Sequence, residues 1–340
     1  MAPLVRFPRK WLTPMTSDRN FCALSNGLLE VRVSTVGMIL THLSRTGKEN
    51  LLASADWDSP AATAVTGSYG SSITDFHANY RGGWHLLFPN SGNACQVAGA
   101  ELPFHGEVAS HTWTVTGVGE DWITAETVAR LPLSISRRIS LTGNSIRIED
   151  DITNLSDLDI PYLFGHHPVF PLSPDIRVDF PQSQPITLHN LGLRKEKEAL
   201  NKLTRGGPYE GQLLEHDFVG PLNALIALSD LSSPWVAARH IVEQDSVGLV
   251  WDGEMMPNLW VWAQSESPDF PWFGRGRFLG LEPQSTATAN GLAFHVDDGK
   301  SMSLLPRQQK STWIEAHVFV SDGSHVSSVE ETHGPRFHSP

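Results

Sequence analysis

The chain has 340 residues, and its 37 acidic and 25 basic side chains give a formal net charge of −12. This acidic balance disfavours nucleic acid and anionic membrane surfaces as partners, because both bind to basic faces. The two cysteines, Cys22 and Cys95, lack metal-ligand spacing and disfavour a disulfide framework, which is typical of a reducing compartment.

The N-terminal segment does not have the pattern of an export signal. Residues 1–15 contain three prolines and no continuous apolar stretch, so they form a poor signal peptide. No run in the chain approaches the ~18 apolar residues that a membrane-spanning helix needs. We therefore expect a cytoplasmic protein. A separate expectation is that the protein is a monomer or a homodimer.

Short segments with the composition of β-strands recur along the chain. Apolar and polar residues alternate in 28–34, after its first residue, and in 145–149. The segments 111–115 and 247–251 are further strand candidates, and 38–43 has the composition of a buried strand. The 28 glycines and 23 prolines are scattered, which is typical of many strands joined by turns. We predict an all-β fold, a large antiparallel β-sandwich with few short helices, ahead of a barrel or a propeller.

Two segments fall outside this strand pattern. The lysine-rich stretch 191–203 is either a helix or a solvated loop. Residues 321–340 are poor in large apolar side chains and rich in Ser, His and Glu, so they are expected to lie on the surface or to be disordered. We therefore predict one β-sandwich domain over residues 1–320 and a C-terminal tail over residues 321–340.

A lone carboxylate ends an apolar run near the C-terminus. In the sequence FLGLEP, Leu279 and Leu281 share one strand face, while Gly280 and Glu282 share the other. The leucines are expected to face the core, so the carboxylate faces outward beside the space that the glycine leaves. Glu282 is then either a proton acceptor for a bound hydroxyl or an exposed residue before a turn-forming proline.

A histidine pair ends a second apolar run, YLFGHHPVF. Adjacent strand residues face opposite ways, so only His167 shares a face with Gly165, and His166 faces the other way. Histidine gives and takes protons near neutral pH, and the alternative is a ring satisfied by a backbone carbonyl. The divergence of the two rings disfavours a metal site.

Further polar and aromatic residues mark other segments. Arg81 precedes a glycine pair that lets the backbone approach a ligand, and His105 precedes Gly106 in a loop. Trp260 lies in an alternating run, where its indole is either a platform for a sugar or part of the core. Each residue alone also fits turn, surface or packing chemistry.

Taken together, these segments resemble the aldose 1-epimerase, or galactose mutarotase-like, family. The RGG and FPxxG runs, the HG pair with a tryptophan seven residues later, the GxHPxF motif and the LEP motif occur in the family order between about residues 20 and 318. Their details look closer to the branch that includes hexose-6-phosphate epimerases. The resemblance implies a β-sandwich with its site on a concave sheet, a sugar or sugar phosphate as partner, and no cofactor or metal.

The resemblance also implies roles for individual residues. His167 matches the catalytic histidine and Glu282 the catalytic base, while His105 and Arg81 match substrate-binding residues. The family also uses an aspartate from a later strand, for which Asp252 is the candidate. We therefore expect an isomerase that interconverts the α and β anomers of a hexose or related sugar by general acid/base ring opening.

In this mechanism Glu282 takes the proton of the anomeric hydroxyl, and protonated His167 supplies one to the ring oxygen. The two side chains are expected on opposite sides of the bound sugar. Two alternatives stay open. One is a carbohydrate-binding or sensing protein without turnover; the other is a different carbohydrate isomerase or lyase on the same fold, with Arg275 and Arg277 facing an acidic substrate.

Overall fold

The strands and helices can be given for the residues that the computed structural model describes, 20–55, 70–181, 187–190, 212–213, 221–330 and 336–338. In chain order, the strands within these ranges are β1 Phe21–Ser25, β2 Leu29–Ser34, β3 Leu40–Arg45, β4 Trp84–Leu87, β5 Cys95–Val97, β6 Ala100–Leu102, β7 Thr114–Val118, β8 Trp122–Val128, β9 Leu133–Thr142, β10 Ser145–Asn154, β11 Ile160–Tyr162, β12 Gly165–Pro171, β13 Ile176–Asp179, β14 Thr187–Asn190, β15 Gln212–Leu213, β16 Leu222–Ser229, β17 Trp235–His240, β18 Gln244–Trp251, β19 Asn258–Ser265, β20 Arg277–Gln284, β21 Met302–Leu304, β22 Gln309–Ser321, β23 Ser328–Glu330 and β24 Arg336–His338. The helices there are α1 Ser72–Asn79, the 3₁₀ turn Val108–Ser110 and α2 Leu292–Asp297. The stretch 191–203, predicted as helix or loop, lies outside the described residues.

The hairpin of β9 and β10 shows how the alternating pattern becomes a sheet. Thr142 pairs with Ser145, so the two residues between them form the turn. The first of these, Gly143, has φ +57°, the left-handed conformation that a two-residue hairpin turn requires. Burial alternates along β9, where Ile135 and Ile139 enter the core. Local alternation and a glycine therefore define this pair of strands.

Two nine-stranded antiparallel sheets make up most of the described structure. The first sheet has the order β1-β2-β3-β4-β12-β20-β19-β16-β14, and the second has the order β15-β13-β17-β18-β22-β10-β9-β8-β7. Trp84 and Leu281 of the first sheet share one hydrophobic core with Ile148, Trp251 and Ile314 of the second. Because each sheet buries one apolar face against the other, the predicted β-sandwich is confirmed.

The middle of the first sheet joins segments that are far apart along the chain. Strand β4 pairs with β12, β12 pairs with β20, and β20 pairs with β19. One face of these strands is directed at the second sheet, so the other face is left to form a surface. The polar candidates from the sequence that alternate away from the core meet on that surface.

Helix α1 lies beside this surface. Its N-cap is Ser71, whose side-chain oxygen accepts a hydrogen bond of 3.3 Å from the Thr74 N–H. A hydrogen bond of 3.0 Å from the Phe104 N–H to the Ser72 hydroxyl ties its first turn to the loop that carries His105. Within the described ranges, the helices are all too short or too polar to cross a membrane.

The described part of the predicted tail docks on the second sheet. Val326 is buried with Trp235 of β17, and its N–H donates a hydrogen bond of 3.0 Å to Asp179. Arg239 forms an ion pair with the same carboxylate and donates to the carbonyl oxygen of Gly323. These contacts extend the ordered chain beyond the end of β22 at Ser321.

Candidate active site

A row of four side chains crosses the middle of the first sheet on the face turned away from the core. His85 of β4 pairs with His167 of β12, and Trp260 of β19 pairs with Glu282 of β20. The register between β12 and β20 sets His167 opposite Glu282. Paired residues of neighbouring strands point to the same face. The sheet therefore brings together an imidazole and a carboxyl group that are far apart in sequence.

The alternation predicted for β20 is confirmed. Leu279 and Leu281 are fully buried in the core between the sheets, and Glu282 lies on the opposite face. Gly280 leaves room on that face, but the carboxyl group of Glu282 itself fills this room. A methyl group at Gly280 would lie 2.5 Å from Glu282 Oε1. The glycine is therefore needed for the position of the carboxyl group.

His167 and Glu282 are in direct contact. Nε2 of His167 lies 3.3 Å from Oε1 of Glu282. Only 5% of His167 and 2% of Glu282 are exposed. The expectation that they stand on opposite sides of a sugar is therefore wrong, because their polar atoms meet on one side. This arrangement can exchange a proton within the pair.

Burial makes each member of the pair prefer its neutral form. It raises the pKa of Glu282 well above the usual range, an effect that the neighbouring Gln284 side chain partly offsets. Burial, with a smaller contribution from nearby His85, lowers the pKa of His167 to about 3. A protonated carboxyl group beside a neutral imidazole holds one proton between two bases. The pair can therefore donate and accept a proton without a change in its total charge.

A second layer fixes the Gln284 side chain next to Glu282. The Ser91 hydroxyl donates a hydrogen bond of 2.8 Å to Gln284 Oε1, which directs the amide nitrogen away from Ser91. A methyl group at Gly165 would overlap Oε1 of Gln284, so the glycine before the histidine pair leaves space for this amide. Sequence reasoning gave Gln284 no role, although it lies two residues after Glu282 and therefore on the same face.

Two further histidines border the pair in defined tautomers. His85 Nε2 donates 2.9 Å to the carbonyl oxygen of Gly82, so its Nδ1 is an acceptor. Nδ1 of His105 accepts a hydrogen bond of 3.1 Å from the Gly92 N–H, so its Nε2 carries the proton. The ring of His105 lies 5.7 Å from that of His167. Burial lowers the pKa of both rings, to about 4 for His85, and keeps them neutral.

Aromatic rings form a wall around the acid/base pair and the two histidines that border it. The ring of Phe76 on α1 lies 5.0 Å from His105 and 6.5 Å from His167. Tyr80 lies 5.8 Å and half-buried Trp262 5.9 Å from His167. Aromatic faces of this kind pack against the C–H surfaces of sugars. Sequence reasoning missed Phe76 and Tyr80, because nothing in their local pattern shows what α1 packs against.

Two other predicted site residues, Arg81 and Trp260, lie outside the row that joins His167 and Glu282 or beneath its polar groups. Arg81 is half-buried in the connection between α1 and β4, next to Tyr80. Trp260 is fully buried, and its indole N–H donates 2.8 Å to the carbonyl oxygen of Thr286. Trp260 therefore belongs to the supporting layer, and Trp262 on the same strand face is the tryptophan that reaches His167.

Asp252 does not join the other candidates. It follows β18 in the second sheet, and its Oδ1 accepts hydrogen bonds from the N–H groups of Glu254 and Met255. Its Oδ2 accepts 3.1 Å from the hydroxyl of Thr312 on β22. Both carboxylate oxygens are therefore engaged within the second sheet, and Asp252 is not part of the candidate site.

The two arginines considered for an acidic substrate lie at the surface. Arg275 is exposed and donates hydrogen bonds of 3.2 and 3.1 Å to the carbonyl oxygens of Trp272 and Pro271. Arg277 is exposed and forms an ion pair with Glu266. These contacts are typical of loop and strand-edge arginines. They do not direct either guanidinium at Glu282.

His166 faces the core and joins the two sheets. The indole N–H of Trp84 donates 3.1 Å to its Nδ1, so a neutral ring carries its proton on Nε2. This Nε2 lies 3.6 Å from Asp150, which Arg137 holds by two hydrogen bonds of 2.7 and 2.8 Å. The adjacent histidines therefore have different positions: His166 lies in a buried cross-sheet network, and His167 lies in the candidate site.

Solved structures with this fold come from several bacteria. A protein of Escherichia coli K12, provisionally described as an aldose 1-epimerase, is 17% identical with a TM-score of 0.64, covering 88% of this chain and 99% of its own. A galactose mutarotase-like protein of Lactobacillus casei ATCC 334 is 14% identical with a TM-score of 0.57, covering 88% and 100%. A galactose mutarotase related enzyme of Lactobacillus acidophilus is 15% identical with a TM-score of 0.60, covering 89% and 98%.

The chain therefore has the galactose mutarotase-like fold. No family model and no curated protein matches the chain. At these low identities the structural likeness defines the fold alone, because one fold supports many activities. The activity has to be derived from the residues of the site.

Proposed function

We propose that this protein is an aldose 1-epimerase that interconverts the α and β anomers of a hexose or related sugar. The observation that carries the proposal is the contact of 3.3 Å between His167 Nε2 and Glu282 Oε1 on a buried, aromatic-lined surface. A protein that only binds sugars does not need two titratable groups buried against each other, since burial of such groups is unfavourable. Buried pairs with strongly shifted pKa values are typical of catalytic sites.

The single proton of this pair fits the chemistry of ring opening. Its transfer from Glu282 to His167 gives a carboxylate and an imidazolium without exchange with water. Glu282 then takes the proton of the anomeric hydroxyl, and His167 gives its proton to the ring oxygen. The bond between the anomeric carbon and the ring oxygen breaks, which leaves an open-chain aldehyde and the pair in its resting state.

Ring closure reverses these steps on the other face of the aldehyde. Rotation about the neighbouring carbon–carbon bond presents that face, and Glu282 returns a proton while His167 accepts one. The anomeric hydroxyl and the ring oxygen are bonded to the same carbon, so an acid and a base in direct contact suit them. His105 Nε2 and His85 Nδ1 supply a donor and an acceptor for other sugar oxygens, with Trp262 beside them.

The test is polarimetry on a freshly dissolved pure anomer of glucose or galactose. Glu282→Gln and His167→Asn are each expected to lower the catalysed rate about 10²- to 10⁴-fold, because each removes one proton-transfer group. A matched control is His240→Asn, which removes an imidazole that lies 3.0 Å from Asp175 in the second sheet. The control is expected to keep its activity, and all variants are expected to keep the far-ultraviolet spectrum of the fold.

The outcomes separate this proposal from its alternatives. A near-normal rate in Glu282→Gln would contradict the assigned chemistry. Wild-type protein that binds hexoses in calorimetry without accelerating their anomerisation would instead support the sensing alternative. Running the assay on free and phosphorylated hexoses determines which of the two classes is the substrate.

A further inference from the structure

We propose that the hydroxyl of Tyr80 is a substrate-binding group of this site and donates a hydrogen bond to an oxygen of the bound sugar. The inference rests on the proposed function, because it adds a residue to the same site. Sequence reasoning assigned Tyr80 no role. Its role follows from where its ring and its hydroxyl lie.

Tyr80 lies at the junction between α1 and β4. Its N–H donates a hydrogen bond to the carbonyl oxygen of His77 at the end of α1. Its ring stacks on His85 with centroids 5.5 Å apart and an angle of 23° between the planes. The same ring lies 5.8 Å from His167. The phenol is therefore part of the wall around the acid/base pair.

Aromatic packing restricts the orientation of this phenol. Trp262, Trp272 and Phe278 surround the ring edge-on, with centroids 5.9, 6.0 and 5.8 Å away. Only 3% of Tyr80 is exposed. Because the ring is packed on several sides, its hydroxyl cannot rotate into solvent. A hydrogen-bond partner for this hydroxyl therefore has to be a molecule that enters the site.

The hydroxyl of Tyr80 is buried and has no hydrogen-bond partner among the described residues. Buried polar groups are nearly always paired in native proteins, and an unpaired one lowers stability. Nδ1 of His85, on which Tyr80 stacks, is also buried and unpaired within the described ranges. A buried donor and a buried acceptor on two stacked rings are groups that the hydroxyls of a bound sugar would satisfy.

Electrostatics keep the phenol protonated. Burial is the main reason that the pKa of Tyr80 lies well above its ordinary value, and the carboxylate that Glu282 becomes during the reaction adds to this shift. The hydroxyl therefore acts as a donor at any working pH. A phenylalanine would fill the same wall without the unpaired group, so the hydroxyl is explained by binding rather than by packing.

Tyr80→Phe tests the proposal because it removes the hydroxyl and keeps the ring. We expect KM for glucose or galactose to rise about 3- to 10-fold, as loss of one hydrogen bond predicts. The dissociation constant from calorimetry is expected to rise by the same factor. The unfolding temperature of the ligand-free variant is expected to rise, because the unpaired group is gone. If Tyr80 had only a structural role, its replacement by phenylalanine would not weaken sugar binding while raising the unfolding temperature.

The matched control is Tyr162→Phe, which removes a buried hydroxyl that lies 3.9 Å from the sulfur of Met255 in the core. It is expected to leave KM and the dissociation constant unchanged. Unchanged KM and affinity in Tyr80→Phe, with an active wild type, would overturn this inference and leave the proposed function standing. Weaker binding in Tyr80→Phe, with a wild type that binds but does not turn over, would support the inference and refute the epimerase proposal. A wild type that binds neither hexose would overturn both.

Discussion

Replacing Gly280 by alanine tests whether the position of the Glu282 carboxyl group limits the reaction. The new methyl group would lie 2.5 Å from Glu282 Oε1 and 3.3 Å from Cβ of Trp262, whereas ordinary contact begins at 3.4 Å. The end of the glutamate side chain is the part that can yield. It has to move by roughly 1 Å, a misplacement that can lower a catalysed rate on the order of 10²-fold.

The stability of this variant should change much less than its rate. An alanine within a strand is favoured over glycine by roughly 0.5–1 kcal/mol in backbone entropy, which offsets part of the steric cost. We therefore expect the free energy of unfolding to stay within about 1 kcal/mol of the wild type. A large loss of rate at nearly constant stability identifies geometry as the cause.

The measurements are polarimetric rates and urea unfolding, with Gly117→Ala as the control. In the control the added methyl group would meet the ring of Trp122 at 2.9 Å, on the edge strand β7 of the second sheet. The control introduces a comparable clash far from Glu282 and is expected to keep its rate. A Gly280→Ala protein with wild-type kcat and KM would refute the reasoning that the glycine fixes the carboxyl group.

Two further predictions concern stability. Burial lowers the pKa of His77 and His85 to about 4 and that of His167 to about 3, so these rings contribute stability above pH 6.5 that is lost as the pH falls towards those values. Each ring is expected to lower the free energy of unfolding by up to about 1.4 kcal/mol per pH unit below pH 6.5. The raised pKa of Glu282 acts in the opposite direction and offsets part of this, so equal unfolding free energies at pH 7.5 and pH 5 would contradict a net loss from the three rings. Arg137→Met is expected to lower the free energy of unfolding in urea by about 3–5 kcal/mol because it removes both hydrogen bonds that Arg137 donates to the buried Asp150, whereas the double variant Arg137→Met/Asp150→Leu should recover most of that loss. A double variant as unstable as the single one would show that the ion pair itself stabilises the core.

Local pattern alone determined several strands and the faces to which their side chains point. The period of two residues placed Leu279 and Leu281 in the core and Glu282 on the other face, and it separated His166 from His167. This works because the alternation of a strand is a property of its own backbone. The predicted strands over 28–34, 38–43, 111–115, 145–149 and 247–251 overlap β2, β3, β7, β10 and β18.

Only the tertiary structure decided which of these faces meet and what covers them. Trp260 and Trp262 share a face, but the packing around them leaves one fully buried and the other beside His167. Asp252 follows a strand of suitable pattern, yet that strand pairs with β22 in the second sheet. Tyr80 lies in the site because it follows the last residue of α1, where the chain leads into β4. Pairings between distant segments depend on the packing of the whole chain, which no short stretch of sequence contains.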